Sequence, residues 1–259
     1  MNEGFLRTSG DLVLFIDSDD FLYLHACAVI ADRWQRGCSK LHFPLYCIAA
    51  DGRDLNIVKR AQPLDTGEVS HKLLTVGYQI SASMSGNVWD WRVLKKILPM
   101  PEEEFRISAD DYLNTLAPFY GPVTATFEPS AHIALHDASN WSTALYDSTC
   151  LYPMIRQRLI GKHPRVRLII EEANAQRLAT STDLLFRDFS YIRLRLISLR
   201  GAQMQHLCPS DTGSGLFWRG IKAVMKDPYL SLPRKLNALV SFLLFALCPR
   251  SAIPSTTFF

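Results

Sequence analysis

An apolar run that ends against three carboxylates constrains this chain more than any other feature. Leu12-Val13-Leu14-Phe15-Ile16 is continuous and rich in branched and aromatic side chains, and it stops abruptly at Asp17-Ser18-Asp19-Asp20. A short run without alternation predicts a strand buried on both faces, the environment of a parallel sheet. The carboxylates at its end repel one another, and a divalent cation relieves that repulsion. Alternation along a continued strand puts Asp17 and Asp19 on one side, where both reach one ion or its waters. Hard oxygen ligands select Mg2+ or Mn2+, either of which neutralises a diphosphate. A solvated acidic turn that caps the following helix uses the same residues and is the competing reading.

The pattern that follows is β-α-β. Leu22 to Trp34 has helical spacing and ends near Gly37, and Lys40 to Ala50 reads as a second strand closed by the Asp51-Gly52 turn. This order predicts α/β architecture. Residues 51 to 85 show little periodicity. Arg92 to Ile97 reads as a short helix closed by Pro99 and Pro101, a further helix starts near Ser108 or Asp110, and Val123 to Phe127 reads as a strand. Beyond Leu151 strand signals fade, and Tyr152 to Ile160, Val166 to Ala179 and Asp183 to Leu199 carry helical periodicity. The expected organisation is an α/β domain over 1–150 and a mainly helical region over 151–259.

Charge follows the same division. Residues 1–151 hold 12 basic and 19 acidic residues, net −7, and the remainder holds 16 and 6, net +10. An acidic part suits a cation and a basic part suits an anionic surface. Nucleic acid is not the expected partner, because the basic residues form no aromatic-interleaved motif and no zinc-finger spacing. Leu236 to Leu247 is too short to span a bilayer. Its flanking Arg234, Lys235 and Arg250, with Trp218 and Tyr229 upstream, fit an interfacial helix on anionic lipid; a core or subunit-contact helix is the alternative. The six cysteines lack CxxC or Cys/His spacing and read as reduced thiols of a cytoplasmic protein, one whose basic helices can lie on the inner face of the cell membrane.

Several segments together resemble the family 2 glycosyltransferases of GT-A fold. Asn2-Glu3-Gly4, then Ser9-Gly10-Asp11, then the strand ending in Asp17-Ser18-Asp19-Asp20 is similar to that family's N-x-G element, its small-Gly-Asp turn and its DxD strand. Ser85-Gly86-Asn87-Val88-Trp89, with Arg92, Val93, Leu94 and Leu98-Pro99, resembles the loop and short helix before the acceptor site. Ala109-Asp110-Asp111-Tyr112-Leu113 is similar to the E-D-x-x-L signature, with Ala109 where the family has Glu. Ile133 to Trp141, with His136, Asp137, Asn140 and Trp141, resembles the closing R-x-H segment, with Ala134 in place of its Arg. The resemblance covers residues 1 to about 145.

It implies an inverting enzyme that moves a sugar from a nucleotide-diphosphate sugar to a saccharide or lipid-linked acceptor, in cell-surface polysaccharide synthesis. It implies Asp110 as the base, with Asp111 as fallback. It further implies Asp17, Asp19, Asp20 and His136 at the nucleotide sugar, Asp17, Asp19 and His136 on Mg2+ or Mn2+, and Gly86, Asn87 and Trp89 at the acceptor. The family's sheet has about two βα units before the DxD strand, and this chain starts inside the N-x-G element. The expectation is therefore a partial GT-A sheet, which as this fragment fails to bind a nucleotide sugar and need not be active. A non-catalytic, degenerate binding or scaffold subunit is the alternative. A haloacid-dehalogenase-like phosphatase also places DxD after a buried strand, but Phe21 stands where Thr or Val follows that motif.

Overall fold

In chain order the elements are α1 (Asn2–Leu6), β1 (Leu12–Leu14), β2 (Phe21–Leu22), α2 (Ala26–Arg33), β3 (Lys40–His42), β4 (Leu45–Ala49), β5 (Asp54–Lys59), α3 (Val69–Val76), β6 (Asn87–Asp90), α4 (Trp91–Ile97), α5 (Glu102–Phe105), α6 (Ala109–Leu116), β7 (Val123–Ala125), β8 (Ala131–Leu135), α7 (Ser148–Ala175), α8 (Phe189–Arg200), α9 (Gly213–Lys226) and α10 (Leu232–Leu247). They come from a computed structural model that describes residues 1–49, 51–59, 63–106, 108–135, 148–179, 183–201 and 206–247, without the side chains of 148–154. The chain divides into two units. One comprises Met1–Leu73, Tyr78–His136 and Glu171–Leu178; the other comprises Leu74–Gly77, Asp137–Ile170 and Ala179–Phe259.

The first unit is α/β with two mixed four-stranded sheets, ordered β1-β6-β3-β7 and β2-β8-β4-β5. In the first sheet β6 runs antiparallel to both β1 and β3, while β3 and β7 are parallel. In the second, β4 is parallel to β8 and antiparallel to β5, and β2 is antiparallel to β8. The expected strand over Lys40 to Ala50 is in fact two strands in different sheets. Pro44 has no N–H to continue a ladder, so the chain leaves the first sheet there and enters the second at Leu45. Phe43 and Leu45, both buried, sit at this crossing in one core with Ile30, Leu41, Val88 and Ile133.

The apolar run that opened the sequence also behaves differently from its expectation. Only Leu12–Leu14 is strand, and it forms the end of its sheet beside an antiparallel neighbour rather than a place between parallel ones. Its two faces are nevertheless both used: Val13 is buried, and Leu12 and Leu14 pack against the core from the other side. Covered faces account for the apolar residues of the strand, although Ile16 beyond it is exposed, and neither the direction of its neighbour nor its edge position is written in that pattern.

Helix limits follow local chemistry. Asp90 caps α4 by accepting from the Arg92 N–H at 2.7 Å, which satisfies a donor that the helix itself cannot. Leu22 to Trp34 has helical spacing, but the helix is shorter: Phe21–Leu22 is drawn into β2 by pairing with β8, and α2 begins at Ala26.

In the second unit every described element from Ser148 onward is helical. The two predicted helices around Gly161 and Pro164 are one, α7. Pro164 removes one helical hydrogen bond, but Ile155 and Leu159 before it and Val166 and Ile169 after it are buried, so packing holds both sides in one helix. Asp188 caps α8 through the Ser190 and Tyr191 N–H groups and pairs with Lys162 at 2.5 Å. Burial pushes the Asp188 carboxyl up, and the Lys162 ammonium and these donors outweigh it, holding the pKa below the usual carboxylate range. Leu196, Ile197, Leu216, Val224, Phe242 and Phe245 join α8, α9 and α10 in one core. No helix among the described residues is long and apolar enough to cross a membrane.

One close backbone approach marks the point where β3 leaves the first sheet. A Cβ on Gly86 would lie 2.6 Å from the Phe43 carbonyl oxygen and 2.9 Å from the Ala82 Cβ, and the Phe43 N–H donates to the Gly86 carbonyl at 2.9 Å. We expect Gly86→Ala to destabilise the protein by about 1–3 kcal/mol in urea unfolding, the range of an overpacked core; an unchanged midpoint would refute this account of the crossing.

Candidate functional site

The acidic end of β1 is organised by one serine. Ser85, fully buried, accepts a hydrogen bond from the Asp17 N–H at 3.0 Å and donates its own hydroxyl proton to Asp20 Oδ2 at 2.6 Å. The other Asp20 oxygen accepts from the Ala134 N–H of β8 at 3.1 Å. Asp20 thus serves the fold with both oxygens, while the Asp17 and Asp19 side chains stand at the exposed turn. Burial pushes the Asp17 carboxyl up, and the charges of Asp20 and Asp19 push it further, with Lys59 opposing. Burial also raises Asp20 despite its two donors.

A second cluster lies under α6. Lys40, on β3, is completely buried and donates to Asn114 Oδ1 at 2.8 Å and Ser81 Oγ at 2.7 Å. Asn114 is four residues after Asp110, so the two occupy one face of α6. Burial drives the Lys40 ammonium down to about 7, and the Asp110 and Asp65 carboxylates pull in the opposite direction. His42 lies two residues on from Lys40, on the same face of the strand, and its Nε2 contacts the Asp65 carbonyl oxygen at 2.9 Å. Burial and the Lys40 charge push the His42 pKa well below its usual value. Since a carbonyl only accepts, the neutral ring must carry its proton on Nε2. Asp65 in turn receives Lys72 on both oxygens at 2.8 Å and the Ile80 N–H.

Residues 79–87 connect these two clusters. The Ser81 hydroxyl lies 3.2 Å from Asn87 Oδ1, and Asn87 Nδ2 donates to the Ala82 and Ser83 carbonyls of the turn that presents Ser85. A hydrogen-bonded path therefore runs from Lys40 and Asn114 through Ser81 and Asn87 to the turn that holds Asp17 and Asp20. Chain polarity delivers Asp110 independently, in the first turn of α6, where carboxylates are favoured by the helix dipole. Asp110 Oδ1 accepts from the Asp111 N–H at 3.0 Å.

The residues assigned to the acceptor occupy the interior. Asn87 and Trp89 are completely buried, Trp89 beside Phe15 at 5.8 Å between ring centroids, and Gly86 is the close-approach position described above. Asn2 of the N-x-G element clamps Met100, donating to its carbonyl at 2.9 Å and accepting from its N–H at 3.0 Å. Tyr112 donates to the Ile97 carbonyl, again in the interior. His136, Asp137, Asn140 and Trp141 lie outside the described residues.

The Lys40 cluster was missed by reading motifs, although a signal existed. Lys40 and His42 alternate with apolar residues, so one face of an otherwise apolar strand had to meet polar partners. Among the described cysteines, Cys27, Cys38, Cys47 and Cys208 are free thiols, and burial pushes those of Cys38 and Cys47 up. Among the described residues no group of three or more His, Cys, Asp or Glu is arranged to hold a metal ion. At the end of β1, Asp17 and Asp19 are oxygen donors of the kind a hard cation such as Mg2+ takes. No protein-family model matches the chain, and neither does any curated protein.

Lys40 makes stability depend on pH with a definite sign. Its folded pKa is lower than its unfolded one, so between these values the unfolded chain binds the extra proton and stability rises with pH. The unfolding free energy of the wild type relative to Lys40→Met is expected to climb from pH 7 to 9 with a slope approaching one proton, about 1.4 kcal/mol per pH unit. A flat difference across this window would show that Lys40 does not lose its proton in the folded state.

Proposed function

We propose that the chain carries the DxD and catalytic-base portion of a family 2-like, inverting GT-A glycosyltransferase. The observation that carries this reading is that a hydrogen-bonded chain through Ser81, Asn87 and Lys40 links the turn holding Asp17 and Asp20 to Asn114 of α6, the helix whose first turn carries Asp110. Transfer of a sugar from a nucleotide diphosphate needs a base for the acceptor hydroxyl and positive charge on the leaving diphosphate. Asp110 takes the proton. The Lys40 cation, where protonated, favours the ionised form of Asp110 that this requires. Asp17 and Asp19 would hold Mg2+ or Mn2+, which would supply charge neutralisation at the diphosphate. Asp20 does not ligate in this account: it fixes the loop on which Asp17 and Asp19 stand. The acceptor is a saccharide or lipid-linked glycan, as in cell-surface polysaccharide synthesis.

A degenerate binding or scaffold subunit is the second reading. It is favoured by the interior positions of Asn87 and Trp89 and by the engagement of both Asp20 oxygens within the fold.

Transfer of radiolabelled sugar from UDP-, GDP- and dTDP-sugars to glycan and polyprenyl-phosphate acceptors separates the two. It is to be measured for this chain and for a form extended by the in-frame upstream sequence. The expected result is divalent-cation-dependent transfer in at least one form, lowered about 10^2- to 10^4-fold by Asp110→Asn, the range for loss of a general base. Folded protein without transfer in either form would assign the chain to the scaffold reading.

A further inference from the structure

We propose that α10, with the adjoining α9, is a docking surface for an anionic lipid bilayer, on which the helical unit lies without spanning it. The helix has two apolar faces. Ala238, Ser241, Phe242 and Phe245 face the core, whereas Leu232, Leu236, Val240, Leu243, Leu244 and Leu247 are exposed, the last of them by 79 %. At 3.6 residues per turn these exposed positions fall within an arc of roughly 120°, so they form one stripe along a helix about 24 Å long. A stripe of this kind on a water-facing helix is anomalous, and its placement away from the core means that packing within the unit does not explain it.

Charge decides the occupant. Neither α9 nor α10 contains an acidic residue, while α9 exposes Arg219, Lys222 and Lys226, and α10 opens with Arg234 and Lys235, whose ammonium donates to the Met225 carbonyl. Trp218 and Met225 add exposed apolar surface on α9, and Trp is a side chain of the lipid–water boundary. A second copy of the chain would bring the same cations together, and an anionic leaflet complements them. This inference is independent of the glycosyl-transfer reading and stands or falls without it.

The test is sedimentation of the full chain with phosphatidylcholine vesicles and with mixed phosphatidylcholine–phosphatidylglycerol vesicles, together with analytical ultracentrifugation of the chain alone. Binding is expected to the mixed vesicles, to weaken as salt screens the charges, and to fall roughly tenfold in Leu236→Glu and in Leu243→Glu. Each of Lys222→Gln and Lys226→Gln should weaken it about fivefold. Because all these positions are exposed, unfolding temperatures should stay at the wild-type value, and the lysine variants carry the test if a leucine variant does not fold. Absence of binding to mixed vesicles overturns the proposal, as does equal binding to neutral vesicles. A self-association lost in Leu236→Glu, without vesicle binding, assigns the stripe to a second copy and equally overturns it.

Discussion

One carboxylate accepts hydrogen bonds from segments of both sheets of the α/β unit. Asp20 accepts one hydrogen bond from the Ser85 hydroxyl, in the turn that feeds β6 of the first sheet, and another from the Ala134 N–H of β8 in the second. Removing such an acceptor would leave two donors unpaired in a partly dry place, which is why this aspartate is bound to its position. The consequence reaches the candidate site directly. With Asp20 fixed, Asp17 and Asp19 are left at the exposed turn, crowded by like charge, and the chemistry of the site comes down to what relieves that crowding.

Lys40 presents the complementary case, a cation in the interior. A buried ammonium is costly, and here the cost is met by two hydrogen bonds and by the fields of Asp110 and Asp65, leaving the group near neutrality in its proton affinity. The same residues that satisfy it, Ser81 and Asn114, belong to the segment and the helix that position the acidic centres. Stability and site geometry are therefore not separable here: the network around Lys40 is also the scaffold that relates α6 to the end of β1.

The helical unit is governed by a different balance. Its core is continuous through α8, α9 and α10, and buried pairs such as Arg195 with Asp211 consume the few acidic residues in the interior. Arg219, Lys222 and Lys226 of α9 stand at the surface, as do apolar side chains of α9 and α10 that the core does not take. The division of formal charge along the sequence thus corresponds to two kinds of surface, one built around carboxylates and one around cations and leucines.

Much of the local structure was legible in the residues themselves. The helix after Asp90, the helix that starts with Asp110 and the last apolar helix follow from caps, dipole preference and 3.6-residue periodicity, which are local interactions written in neighbouring residues. The α/β order was legible for the same reason. What the motifs proposed for Gly86, Asn87 and Trp89 was an acceptor surface, whereas the fold places them inside. Short-range pattern marks a residue as special without saying whether it meets a substrate or the rest of the chain. The antiparallel neighbour of β1, the break of one apparent strand at Pro44, the enclosure of Lys40 and the two-sided use of α10 all depend on which distant segments come together. Sequence by itself determined the α/β order, several of the helices and the positions of the carboxylates. Only the tertiary structure decided that Asp20 serves the fold while Asp17 and Asp19 stand at an exposed turn, because burial and hydrogen-bond partners come from residues far apart along the chain.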